Sequence, residues 1–150
     1  MKKLIIFDTG YGNTQMLAEV MGEAISAAKV TMEKLNGVDL LVVGSPTMGG
    51  RAKPELQEFL EEIPDEKLNG VRVAAFDTRF LEEKQTFLLK LLMKTIGYAA
   101  PKIAELLVSK GGKLVVPPEG FIVTGKSGPL GKGELERAKK WIKTVENKAK

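Results

Sequence analysis

Two residue types central to enzyme chemistry are missing from this chain of 150 residues: it has no cysteine and no histidine. Without cysteine there are no disulfides, no thiolate nucleophile and no iron–sulfur ligation by this chain. Without histidine the commonest general base and the commonest zinc ligand are both gone. No catalytic residue and no metal site is expected, and any redox chemistry must place its electrons on an organic cofactor. Long apolar runs are lacking too. None approaches the roughly 18 residues needed to span a bilayer. The first apolar stretch, Leu4–Phe7, is four residues long and ends at Asp8, which is no signal-peptide pattern. The expected location is cytoplasmic. Aromatic residues make up only 6% and are not interleaved with the basic ones, so a nucleic-acid partner is not expected.

What is present is ordinary for a globular protein: 43% apolar and 28% charged residues. The length predicts one domain, residues 1–150, with a substantial core. The net charge of +4 is unevenly placed. Residues 1–109 hold 13 Lys/Arg and 15 Asp/Glu, whereas residues 110–150 hold 10 and 4. The basic excess reads either as a solvated helix face with a lysine-rich tail or as a docking patch for an acidic partner.

Four short, continuous apolar runs predict buried parallel strands: Leu4–Phe7, Leu40–Val43, Val73–Phe76 and Leu114–Val116. Helical spacing lies between them. Leu17, Val20, Met21, Ala24, Ile25 and Ala28 predict a first helix, and Pro54 opens a second carrying Leu56, Phe59, Leu60 and Ile63. A third helical pattern, from Thr86 to Val108, breaks at Gly97 and Pro101, and a last one runs from Glu134 to Val145. A stub of another strand is placed at Lys29–Met32. Alternating strand and helix predicts an α/β doubly wound parallel sheet of five strands with a shortened second strand. In such sheets ligands bind beyond the C-terminal strand ends, where the strand order reverses.

Each strand end is followed by a distinctive loop. The first is Thr9-Gly10-Tyr11-Gly12-Asn13-Thr14. Its glycines let backbone N–H groups converge at a helix N-terminus, and its threonines and asparagine add short side-chain donors. It has no lysine or arginine, which suits a phosphate monoester wrapped by neutral donors. It is neither a Walker loop nor a dinucleotide fingerprint, since Gln15 stands where a third glycine would be. The second loop is Gly44-Ser45-Pro46-Thr47-Met48-Gly49-Gly50, and the third is Asp77-Thr78-Arg79-Phe80.

Taken in order, these loops resemble those of the flavodoxin family, over essentially the whole chain, and more closely its short single-domain prokaryotic branch. Thr9 to Thr14 resembles the family's FMN-phosphate loop, with Tyr11 replacing a hydroxyl residue. Gly44 to Thr47, followed by Gly49, resembles the first loop against the flavin ring. Phe76 to Arg79, and Phe121 to Ala138 with its Gly128-Pro129-Leu130 and Gly133 to Ala138, resemble the same branch. The resemblance implies a strand order of 2-1-3-4-5. It also implies a noncovalent FMN held by Thr9, Gly10, Tyr11, Gly12, Asn13, Thr14, Ser45, Pro46, Thr47, Met48, Gly49, Gly50, Asp77, Thr78, Arg79 and Phe80. Met48 stands where many members stack a tryptophan. Gly49-Gly50 stands where the family flips a peptide on reduction. Phe80 is the candidate ring stacker. Arg79, with Arg51, is expected to make the second reduction less negative than in acidic members; the alternative for Arg79 is a surface salt bridge with Asp77 or Glu82.

Three functions remain open. The first is an electron carrier between a reductase and an acceptor. The second is an FMN reductase using NAD(P)H or a quinone, and the third is a flavin-free docking module. Redox partner proteins, including acidic ones docking near the flavin edge, are expected. The apolar segment Phe87–Ile96 is a candidate lid or homodimer contact.

Overall fold

The computed structural model describes residues 1–80 and 97–150. The expectations for Leu81–Ile96, including the lid and the homodimer contact, lie outside the described residues. The chain begins with β1 (Lys3–Phe7), α1 (Asn13–Met21) and β2 (Ala24–Ser26). A 3₁₀ turn (Met32–Leu35) leads to β3 (Leu40–Pro46), α2 (Pro54–Glu62) and β4 (Arg72–Phe80). The remainder is α3 (Ala99–Ser109), β5 (Lys113–Leu114), β6 (Glu119–Val123) and α4 (Glu134–Ala149).

The sheet order is β2-β1-β3-β4-β5, with β6 also paired to β4, and every ladder is parallel. This is the expected 2-1-3-4-5 order. The fifth position is shared: β5 pairs the start of β4 (Arg72↔Lys113) and β6 pairs its end (Phe76↔Glu119). The strand expected at Leu114–Val116 is therefore split, and most of its pairing moves to Glu119–Val123. Pro117 and Pro118 lie between the two pieces, and proline supplies no N–H to a ladder.

The second strand is short, as expected, but it sits earlier than Lys29–Met32. Helix α1 stops at Met21 because Gly22 takes φ 150° and ψ −161°, a setting open to glycine. The apolar residues Ala24 and Ile25, expected on the helix, instead pair with Ile5 and Ile6 of β1. Residues 32–35 form the 3₁₀ turn.

Alternation along the strands divides the core in two. Ile6, Leu41, Val43, Val73 and Ala75 face α2 and α3. Ile5, Phe7, Val42, Ala74 and Phe76 face α1 and α4. On the second side Phe76, Phe121 and Trp141 meet edge to face, with centroids 5.9–6.0 Å apart. Both faces are covered, so the loops at the C-terminal strand ends are left as the open edge where polar groups collect.

Candidate functional site

The loop from Thr9 to Gly12 turns β1 into α1. Gly12 takes a left-handed conformation (φ 93°) at the helix start, which a residue with a Cβ adopts only under strain. Its amide donates to Thr9 Oγ1 at 2.9 Å, closing a small ring. The first intrahelical bond is made by Met16, to the Gly12 carbonyl. Among the described residues the amides of Gly10, Tyr11, Asn13 and Thr14 donate to no protein acceptor. They remain available to an anion, at the positive end of the helix dipole.

These residues form one end of a cavity of about 300 Å³. Thr9, Gly10, Tyr11, Asn13 and Thr14 line it from the first loop, Pro46 and Thr47 from the end of β3, and Thr78 and Phe80 from β4. Thr14 is buried, and its hydroxyl lies 2.9 Å from that of Thr78, tying α1 to β4 across the floor. Tyr11 and Phe80 are 62% and 39% exposed. They leave two aromatic rings available where a flat ligand would pack.

Sequence reasoning grouped other residues here that the structure sets apart from the lining. Ser45 is fully buried: its hydroxyl accepts from the Lys53 amide and donates to the Pro46 carbonyl, both at 3.0 Å. Asp77 is fully buried on the opposite face of β4 from Thr78 and Phe80, as alternation requires. Its carboxylate takes a two-pronged ion pair from Arg79 at 2.8 Å and the Ala100 amide at 2.9 Å. Arg79 also lies over the Tyr98 ring, 3.6 Å from its centroid. Its guanidinium fills the space a Cβ on Gly120 would need. Thr47 adds to the same joint, accepting from the Ala99 amide at 3.1 Å. Side chains from β4 and the end of β3 thus receive the first two amides of α3.

Met48 to Arg51 form a tight turn beside Thr47. Met48 and Arg51 exchange backbone hydrogen bonds at 2.8 and 3.1 Å. Gly49 and Gly50 between them both have positive φ, 57° and 78°, as a two-residue hairpin turn requires. Met48 is 54% exposed.

Two further lining residues were not named as site candidates from the sequence: Val123, the last residue of β6, and Lys126, in the segment that follows. That segment is latched to the first loop: the Asn13 side-chain amide donates to the Ser127 carbonyl at 3.2 Å. Gly128 has no Cβ to push Asn13 away. The signal that could have found Lys126 is Gly125-Lys126-Ser127-Gly128, a glycine-flanked loop one residue beyond the apolar end of β6. Among the described residues no cluster of three or more acidic side chains is placed to hold a metal, and no helix is long and apolar enough to cross a membrane.

Comparison with known proteins gives this arrangement its family. The chain matches no curated protein by sequence. A flavodoxin from the domain Archaea superposes with a TM-score of 0.74 at 19% identity, covering 100% of both chains. Flavodoxin 2 from Bacillus cereus gives 0.72 at 21%, covering 99% of both. A flavodoxin, WrbA-like protein from Agrobacterium tumefaciens gives 0.70 at 17%, covering 99% of this chain and 96% of that one. At such identities these likenesses speak for the fold. A sequence profile described as the flavodoxin domain matches residues 4–113, which hold the three loops and the ends of β1, β3 and β4 that carry them. By that match, on that sheet order, the chain belongs to the flavodoxin family.

Proposed function

We propose that residues 1–150 act as one FMN-binding domain that carries electrons between a reductase and an acceptor. The observation that supports this most is the set of unpartnered amides at Gly10, Tyr11, Asn13 and Thr14, closing one end of a cavity walled by three strand ends. Neutral, convergent N–H groups at a helix N-terminus match a phosphate, and the donor set fits the phosphate end of FMN. When bound, the flavin supplies the redox chemistry by taking and giving electrons one or two at a time.

This chain's residues do the rest. Thr9 and Thr14 frame the phosphate with the loop amides, while Pro46, Thr47 and Thr78 border the ribityl chain. Tyr11, Phe80 and Met48 offer apolar surface to the ring. The Gly49–Gly50 turn presents backbone groups that can reorient without a Cβ clash. Asp77 and Ser45 act one layer back, holding α3 and α2 against the loops. Lys126, exposed at the cavity, and Arg51, exposed on the turn beside Thr47, give this end of the molecule a positive character suited to a redox partner with an acidic surface. Pairing of two copies through residues 87–96 rests on composition alone.

A second reading, an FMN reductase using NAD(P)H or a quinone, draws on the connection between β4 and α3. Its apolar stretch Phe87–Ile96 is a candidate substrate cover by composition.

The test is a visible spectrum with and without added FMN, followed by stepwise anaerobic reduction. A bound-flavin spectrum with two resolved one-electron steps supports the carrier. A single two-electron step, with NAD(P)H oxidised or quinone reduced on turnover, supports the reductase. Absence of FMN binding overturns both.

A further inference from the structure

Asp8 ends β1 directly before the loop that is shaped to receive an anion, and its charge is of the wrong sign for that place. The residue is 8% exposed. One carboxyl oxygen, Oδ1, accepts the Thr9 amide at 3.0 Å. The other, Oδ2, is buried without a hydrogen-bond partner. The charged groups that face Asp8 come from the start of α2. Glu55 has the same sign, and the Leu56 amide stands near it. Lys53 has the opposite sign, but its ammonium donates to the Thr9 carbonyl at 3.1 Å. The backbone of Thr9 is therefore held on both sides, its N–H by Asp8 and its C=O by Lys53.

A buried carboxyl with one unpartnered oxygen favours its neutral form. Burial, with Glu55 adding to it, pushes the Asp8 carboxyl above the ordinary carboxylate range, against the opposing pull of the Thr9 amide, Lys53 and the Leu56 amide. Protonating Oδ2 breaks no hydrogen bond, because that oxygen accepts none. A phosphate seated in the adjoining loop adds negative charge beside Asp8 and raises the cost of keeping it ionised.

We infer that Asp8 takes up a proton when a phosphate-bearing ligand fills the loop, so that the site binds such a ligand more tightly as the pH falls. The inference rests on the reading of the loop as the seat of the FMN phosphate. The sign follows from linkage. Binding raises the carboxyl's proton affinity, so protons are taken up between its free and bound titration points. Affinity climbs as the pH falls through that window and levels off below it. The free ligand's phosphate titrates near pH ~6 whichever protein is present, and the bound phosphate and Asp8 titrate as a coupled pair, which a titration read at the carboxyl itself resolves.

The experiment measures dissociation constants of FMN and of riboflavin, which lacks the phosphate, for the wild type and Asp8→Asn from pH 4 to 8. The wild-type to variant ratio for FMN is expected to fall as the pH drops through the Asp8 titration window, about tenfold in all for a displacement of ~1 pKa unit on binding. The riboflavin ratio is expected to stay flat. An FMN ratio independent of pH, or a riboflavin ratio with the same slope, overturns the inference and leaves FMN binding intact. Absence of FMN binding by both proteins at every pH overturns the cofactor reading and this inference with it. An NMR titration of the Asp8 carboxyl in the wild type needs no variant. A higher midpoint in the FMN-loaded protein than in the apoprotein is expected, and equal midpoints overturn the proposal.

Discussion

Gly44 shows how a single hydrogen atom can decide a packing. It pairs with Phe76 across β3 and β4, and a Cβ there would lie 2.1 Å from the ring of Phe76. That ring is fully buried against Phe121 and Trp141 and has nowhere to go. Gly44→Ala is expected to cost about 1–3 kcal/mol, read as a lowered urea midpoint with an unchanged slope. The sequence offered Arg79 either as a cation near the flavin or as a salt-bridge partner of Asp77 or Glu82, and the structure pairs it with buried Asp77. Removing it leaves the Asp77 carboxylate uncompensated close to the cavity. Arg79→Ala should therefore make the second reduction midpoint more negative and also cost about 1.5–3 kcal/mol in stability. An unchanged or less negative midpoint in a spectroelectrochemical titration would count against the first half.

Helix ends carry the site's precision at the scale of elements. Helix α4 starts at Glu134, whose carboxylate accepts the Ile122 amide at 2.7 Å and two bonds from Arg137 at 2.8 Å. Arg137 in turn reaches the Gly120 carbonyl and Glu119. The result fixes β6, and with it Val123 and Lys126, against the rest of the site. Bonding to the Arg137 side chain holds the Glu134 carboxyl below the ordinary range, in spite of its burial. A depressed carboxyl contributes stability that is fully present above its unfolded titration point and is lost as the pH falls through the folded one. Glu134→Gln is expected to lose about 1.5–3 kcal/mol at pH 7. The gap to wild type should narrow below the ordinary carboxylate range, as urea unfolding at pH 7 and pH 3 would show.

The same frame is legible in the sequence wherever local pattern and tertiary environment agree. The apolar runs of β1, β3 and β4 lie within the observed strands, and Pro54 opens α2 at its first position. The pattern misled at Ala24 and Ile25, because two apolar residues after a helix fit either a further turn or a short strand. Only pairing with Ile5 and Ile6 decides between them.

For the whole molecule, the site and the fold pull in opposite directions. Asp8 is raised by burial, so the folded apoprotein binds a proton there more readily than the unfolded chain does. Its contribution is fully present below the unfolded titration point and is lost as the pH rises through the folded one. Asp8→Asn is therefore expected to be more stable than wild type at pH 7, with the difference vanishing toward pH 4, in thermal unfolding of the apoproteins. A residue that weakens the fold at neutral pH and borders a binding loop is the usual form of a stability–function conflict. Ligand reverses it: FMN at a thousandfold excess over its dissociation constant should add about 4 kcal/mol, seen as a concentration-dependent rise in melting temperature.

The sequence by itself determined the layered α/β architecture, the strand order through its resemblance, and the loops at the binding edge. Continuous apolar runs can be buried only between two layers of helix, and glycine-rich turns after strands permit few alternatives. Which members of those loops line the cavity was decided by tertiary structure alone. Alternation along β4 turns Thr78 inward and Asp77 away, a latch from Asn13 brings Lys126 to the mouth, and Asp8 lost its second partner through burial. Each depends on residues distant in sequence meeting at one sheet edge, which no local pattern encodes.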